Sequence, residues 1–324
     1  MTRISDLSLH QLTLAQTLNT QSRMADLQIQ VSSGQKAQRY SGIASDAHRL
    51  ISLQDAHSRT AQYLQTNQIV DSRLTTMEAN ISQMFDAATR FRTLLVNALN
   101  NNNGDVLPIA TDAANFKEQF ANLLNVQVDG RYLFAGSRTD TAPVDLNGWS
   151  VPPNLTPPLT LPLPQYKSEY YKGDGVQQSA EIDTGQTIDY GITADEDAFD
   201  YVLRAMHYVE TTGSPPDRDT LETALALVNT ALGTASPDPA RGAPAISRDL
   251  ADLRSLVGTS RSAIEQANTR HNDFTLQLEQ NIGDIQSVDV AQALTELSSQ
   301  QTQLQASYMT LSRLSQLSLL EFLH

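Results

Sequence analysis

The sequence predicts a mainly α fold. A long coiled-coil-like helical rod, formed by N- and C-terminal arms, carries a small α/β insert of a strand hairpin plus two helices. A short β-hairpin marks the joint between rod and insert. Three observations predict this. First, of the 13 prolines, one is Pro108 and the other 12 lie between Pro143 and Pro244. Proline breaks helix interiors, so long helices are possible at both ends and not in the middle. Second, both ends carry heptad seams of apolar residues. Third, the middle reads as short alternating runs separated by glycine turns.

The N-terminal forty residues form a weak amphipathic helix, with Ile4, Leu7, Leu14, Leu18 and Ala25 on one seam and Gln11 and Gln21 interrupting it. So polar a helix is marginal alone. A strong seam follows: Leu53, Ala56, Thr60, Tyr63, Asn67, Val70, Leu74, Met77, Ile81, Met84, Ala88, Phe91, Leu95 and Ala98. At 1.5 Å per residue it spans roughly 70 Å. Asn100 to Gly104 stops it. A second helix runs from Pro108, a good first-turn residue, to Val126, carrying Ala113, Phe116, Phe120 and Leu123.

The stretch "VDGRYLFAGSRTDTAP" then joins two architectures. Asp129-Gly130 turns the chain. Tyr132, Leu133 and Phe134 pin the returning strand, and Gly136 releases it, so Gly130, Tyr132, Leu133, Phe134 and Gly136 form a structural joint. Residues 143–165 read as an extended Pro/Leu/Thr linker. "YKSEYY", "VQQSAEI" and "QTIDYGI" read as strands, with "KGDG" and "DTG" as turns. Two helices follow, started by capping boxes at Thr193/Glu196 and Asp219/Glu222 and stopped by Gly213 and Gly233. The final arm has a seam through Leu250, Leu253, Val257, Ser260, Ile264, Ala267, His271, Phe274, Leu278, Asn281, Ile285 and Val288. The phase slips near Ala291 and resumes at Leu294, Leu297, Gln301, Leu304, Tyr308 and Leu311, ending in "LSRLSQLSLLEFL".

Composition narrows the function. With 22 basic and 36 acidic residues the formal charge is −14, which argues against nucleic acid and anionic membrane as partners. The absence of cysteine excludes disulfides, thiolate metal sites and a cysteine nucleophile. No run is long and apolar enough to span a bilayer, and the N-terminus lacks the pattern of a secretory signal. There is no phosphate-loop, dinucleotide, zinc-protease or nucleophile-elbow motif. "GDG" at Gly173 to Gly175 reads as a hairpin turn, and His271 as a packed seam histidine. Asp195, Glu196, Asp197 and Asp200 read as a helix start, without the glycine and terminal glutamate of a calcium loop. The expectation is no enzyme, no cofactor and no metal. Terminal leucines at the ends of a rod, beside polar helices, point to an assembly interface: Leu7, Leu14, Leu18, Leu294, Leu297, Leu304, Leu311, Leu314 and Leu317.

"QIQVSSGQKAQRYSGIASDAHRLISLQ" (Gln28 to Gln54) resembles the N-terminal signature of the flagellin family, with a single Asp46 where that family usually has an Asp-Asp pair. "ALTELSSQQTQLQASYMTLSRLSQLSLLEFL" resembles its C-terminal helix. "DGRYLFAGSRTDTAP", the stretch from Tyr170 to Val209, and the "SLLEFL" ending resemble the family's hook–filament junction members more than its filament subunit. The resemblance implies three layers: terminal assembly helices at 1–40 and 287–324, a rod domain at 41–142 and 245–286, and an outer insert at 143–244. It implies a secreted protein of the bacterial flagellum, exported unfolded through the flagellar type III apparatus. It also implies hook-associated protein 1 and flagellin as neighbours, self-association in a ring or helical layer, and an export chaperone on the C-terminal helix. The terminal helices are expected to order on assembly. The alternatives are the flagellin filament subunit and, in another class, a coiled-coil signalling or adaptor module. An enzyme housed in the insert is the weakest reading.

Overall fold

Helices dominate, in the order the proline map predicts. A computed structural model describes residues 2–100, 108–149, 170–212, 216–238, 243 and 245–322, with side chains described between 11 and 313. The helices are α1 (Thr2–Ser33), α2 (Ala47–Asn100), α3 (Ile109–Leu124), α4 (Asp197–Thr211), α5 (Arg218–Ala231), α6 (Leu250–Gln286) and α7 (Val290–Phe322), with a 3-10 turn at Tyr40–Ile43. Two antiparallel hairpins complete the described fold: β1 (Gln127–Val128) with β2 (Arg131–Tyr132), and β3 (Ser179–Asp183) with β4 (Gln186–Asp189).

The chain forms two compact units: residues 1–61 with 272–324, and residues 62–271. In the second unit the α2 seam packs as its period demands. Val70, Leu74, Met77, Ile81, Met84, Ala88, Phe91 and Leu95 are buried, as are Leu250, Leu253, Val257, Ile264 and Ala267 of α6. Arg261 of α6 bridges Asp71 at 3.1 Å and Glu78 at 2.7 Å on α2. Phe91 meets Phe116 of α3 at 5.9 Å.

α3, α4 and α5 pack in sequence. Every residue of α4 from Ala198 to Val209 is buried, so α4 is the insert's central helix, although it carries Asp200, Arg204 and His207. Asp200 pairs with Arg204 one turn on, which offsets the penalty of burying either charge. His207 lies under Trp149, ring centroids 4.8 Å apart, and beside Glu210, which is itself paired with Lys117 of α3. Burial and the Lys117 charge hold the His207 pKa below the ordinary histidine value.

Both predicted capping boxes shift. α4 starts after Glu196, whose side chain makes no capping bond. α5 is capped by Asp217, accepting from the Thr220 amide at 2.7 Å, and Asp219 lies inside the first turn. The cap is the last residue with extended backbone, and Asp217 holds it at φ −69°, ψ 162°. Gly233 ends α5 as read. Its φ is +67°. The Thr234 amide donates to Asn229 at 3.0 Å and the Gly233 amide to Thr230 at 3.1 Å, a Schellman closure. α3 follows Pro108 as predicted but stops at Leu124, where the Asn125 amide still bonds the last turn. Of the three predicted strands, two form in part, as β3 and β4. Tyr170 and Tyr171 are not in a strand, though Tyr171 makes a single bridge to Val144. The helix stop at Asn101–Gly104, Gly213, most of the 143–165 linker and the start of "YKSEYY" lie outside the described residues.

Candidate assembly interface

In the first unit α1 packs along α7, and burial shows which faces meet. On α1 the shielded positions include Thr13, Thr17, Thr20, Met24, Leu27 and Val31. Their spacing of 4, 3, 4, 3 and 4 makes one seam. On α7 the matching seam is Ala293, Leu297, Gln300, Leu304, Ser307 and Leu311. The predicted α1 seam through Leu14, Leu18 and Ala25 is therefore one residue out of phase and lies on another face. Leu14 is 48% exposed and Leu18 58%. Leu12 and Ile29 are exposed too. At 100° per residue, Leu14, Leu18, Ala25 and Ile29 fall on the side of α1 turned from its partner seam.

The expected C-terminal residues divide. Leu297, Leu304 and Leu311 lie half-buried toward α1, whereas Leu294 is 49% exposed. Val290 and Tyr308 continue the Leu294 stripe, and Tyr308 accepts a hydrogen bond from the Gln21 amide of α1. The side chains of Leu7, Leu314 and Leu317 lie outside the described residues. Over Thr13–Thr20 the arrangement turns ordinary amphipathicity around: threonines face α7 and Leu14 and Leu18 face the solvent, whereas Met24, Leu27 and Val31 carry the seam on with apolar side chains. Thr17 and Thr20 are satisfied by hydroxyl bonds to Thr13 and Gln16 carbonyls at 2.8 and 3.0 Å, so this end of the inner face gains little from apolar burial.

The breaks in the two arms meet. The phase slip near Ala291 is a real interruption at 287–289, and the N-terminal arm is interrupted at 34–39. Gln35 bridges Ser287. The Lys36 amide donates to Gln286 O at 2.7 Å and the Val288 amide to Gly34 O at 3.0 Å. Lys36 Nζ donates to the Asp284 carbonyl at 2.6 Å, in the last turn of α6, where the helix dipole favours a cation. Gly34 has φ +71° with open space around it, so its glycine answers to backbone conformation alone.

The joint is a second constellation, within the other unit. Asp129 and Gly130 both have positive φ, 52° and 74°, the geometry of a two-residue hairpin turn. Gln127 pairs with Tyr132 and Val128 with Arg131. Leu133, Phe134 and Ala135 are buried, and Tyr132 half-buried. Phe134 packs edge-on against Phe199 of α4, which packs against Phe120 of α3. The Ala194 amide donates to Phe134 O at 2.9 Å. Gly136 has φ +69°, and a Cβ there would run into the Asp174 carbonyl and carboxylate. Asp174 in turn accepts from the Ser137 hydroxyl and amide, bonds that hold its carboxyl below the usual carboxylate range. Asn125 closes the knot, bonding both the amide and the carbonyl of Val144. Sequence reading missed Asn125 and Asp174. Their signal is nonlocal, because each partner lies beyond a turn.

Among the described residues no group of histidine, cysteine and carboxylate side chains could hold a metal, and no helix is long and apolar enough to cross a membrane.

Family models of the bacterial flagellin N-terminal and C-terminal helical regions match residues 4–139 and 244–323. The chain is 24% identical to flagellar hook-associated protein 3 of Escherichia coli strain K12, covering 98% of this chain and 99% of that protein. It is 23% identical to flagellar hook-associated protein 3 of Salmonella typhimurium with the same coverage. Two solved structures share its fold. One, described as a flagellar hook-associated protein from Vibrio parahaemolyticus, has a TM-score of 0.58 at 15% identity, over 76% of this chain and 100% of that one. The other, FlgL of Bacillus cereus, has a TM-score of 0.53 at 15% identity, over 72% and 99%.

Proposed function

The chain belongs to the bacterial flagellin family, and on that premise we propose that it is the junction adaptor between hook and filament. It is a structural component of the flagellum and works by assembly rather than catalysis. The observation that carries the junction reading is coverage. Hook-associated protein 3 aligns with this chain from end to end, insert included, whereas the flagellin regions match only the two arms.

The terminal helices are the assembly surface. Support comes from the stretch of α1 over Thr13–Thr20, where Leu14 and Leu18 remain half exposed while the threonines are covered. A helix so arranged completes its apolar burial on a neighbouring subunit. The inner layer comprises residues 1–40 and 287–324, the next 41–142 and 245–286, and the outer layer 143–244. The neighbours along the axis are hook-associated protein 1 and flagellin. The chain is secreted by flagellar export with a chaperone on its C-terminal helix, and the termini gain order as they assemble.

Deletion of the gene tests the reading. Cells lacking the adaptor carry hooks without filaments and shed flagellin into the medium. If they still build normal filaments, the assignment is wrong. The filament-subunit alternative is separated by seeded growth: purified filament subunit elongates filament seeds, and a junction protein does not.

A further inference from the structure

Among the buried polar residues on the heptad seams of α2 and α6, Asn67 and His271 converge on one atom. Asn67 Nδ2 donates to the Ile182 carbonyl at 3.1 Å, and His271 Nε2 to the same oxygen at 2.9 Å. A carbonyl has two lone pairs, so both bonds can form at once. The His271 tautomer is thereby fixed with a proton on Nε2. Ile182 is available because it lies in a bulge. β3 and β4 pair through Glu181 and Asp183, with a register shift between them. A bulge takes its residue out of the ladder and re-aims its groups.

Around this point the hairpin is held to both helices. Tyr63 of α2 stacks on His271 at 5.4 Å and 5° and donates to Glu181 at 3.3 Å. Arg270 of α6 donates to Asp183 and to Gln186 at 3.3 and 3.1 Å. Asn67 Nδ2 also reaches Asn268 Oδ1 of α6 at 2.9 Å.

The Asn67 side-chain oxygen is buried without a hydrogen-bond partner, a cost that offsets part of what the Asn67 amide bonds contribute. Apolar seams are degenerate, since sliding one helix by a heptad still faces apolar residues with apolar residues. A buried polar residue removes that degeneracy, because only one register supplies its partner.

We propose that Asn67, His271 and the bulged Ile182 carbonyl form a three-way clasp that seats the β3–β4 hairpin and sets the register of α2 on α6. The clasp makes the insert a structural arbiter of the helix pair, a role independent of which flagellar position the chain occupies.

The test is Asn67→Leu/His271→Leu in the full chain, read by thermal melting and by hydrogen exchange of the hairpin amides. The clasp predicts at least tenfold faster exchange in β3 and β4, beyond any change in the α4 and α5 amides. His271→Gln, which keeps an N–H donor, retains more protection than His271→Leu. Wild-type protection in the double variant overturns the proposal. So does a loss of protection no greater in the hairpin than in α4 and α5, because the pair would then be an ordinary stabilising contact; if the double variant does not fold, equal hairpin protection in His271→Gln and His271→Leu overturns it.

Discussion

Replacing Leu14 and Leu18 by glutamine leaves the subunit folded and weakens its assembly. Both lie on α1, 48% and 58% exposed, turned from the Thr17, Thr20 and Leu27 seam that meets α7. Burying a whole leucine side chain contributes about 1.5–3 kcal/mol. Roughly half of each remains to be buried, so the pair contributes ~1.5–3 kcal/mol to an interface with a neighbour. That is roughly a tenfold to hundredfold loss in association. Glutamine has nearly leucine's helix propensity, and a surface change away from caps and networks shifts stability by about 0.5 kcal/mol or less. Leu27→Gln is the contrasting variant: Leu27 is 8% exposed and faces α7, so it destabilises the free subunit. The assay is half-saturation of binding to hooks purified from a strain lacking this protein, with melting temperature measured in parallel. Unchanged binding by Leu14→Gln/Leu18→Gln refutes the outward-face argument. A drop in melting temperature as large as that of Leu27→Gln refutes the assignment of faces.

Three further outcomes follow from the joints and the insert. Gly136→Ala and Gly130→Ala both place alanine at positive φ, a strain of about 1–2 kcal/mol, but only Gly136 also meets Asp174; thermal melting finds Gly136→Ala the worse, and equal losses contradict the joint's geometry. Lys36→Ala removes the bond to the Asp284 carbonyl and lowers stability by about 0.5–1.5 kcal/mol, with faster hydrogen exchange at 34–36 and 286–288; unchanged exchange contradicts it. The folded-state pKa of His207 is depressed, so the unfolded chain takes up the proton first. The stability this gives is complete above the unfolded value of about 6.5 and is lost as pH falls from there through the folded value. Trp149, the single tryptophan, reports it: its fluorescence shifts with a midpoint below about 6.5, His207→Gln removes the shift, and a midpoint above that value contradicts the assignment.

What could be read in the sequence was set by how apolar each face is. The α2 seam from Val70 to Leu95 is legible because its periodic positions are large, apolar and buried. The same holds for α6 from Leu250 to Ala267. α1 was misphased because periodicity locates the leucines, not the partner, and over Thr13–Thr20 the partner face is threonine. The chain break at 287–289 was visible as a phase slip, but its pairing with the break at 34–39 joins residues some 250 apart and leaves no local signal. The glycines and aromatics of the joint stood out because positive φ and core packing each demand a residue type. The Ile182 bulge did not, since neither glycine nor proline marks it.

Labelling a tagged copy of the chain with gold-conjugated antibody on intact flagella tests the central claim most directly. The account predicts gold at one band, where the hook meets the filament. Gold along the filament would make the chain a filament subunit, and its absence from the flagellum would contradict the junction role altogether.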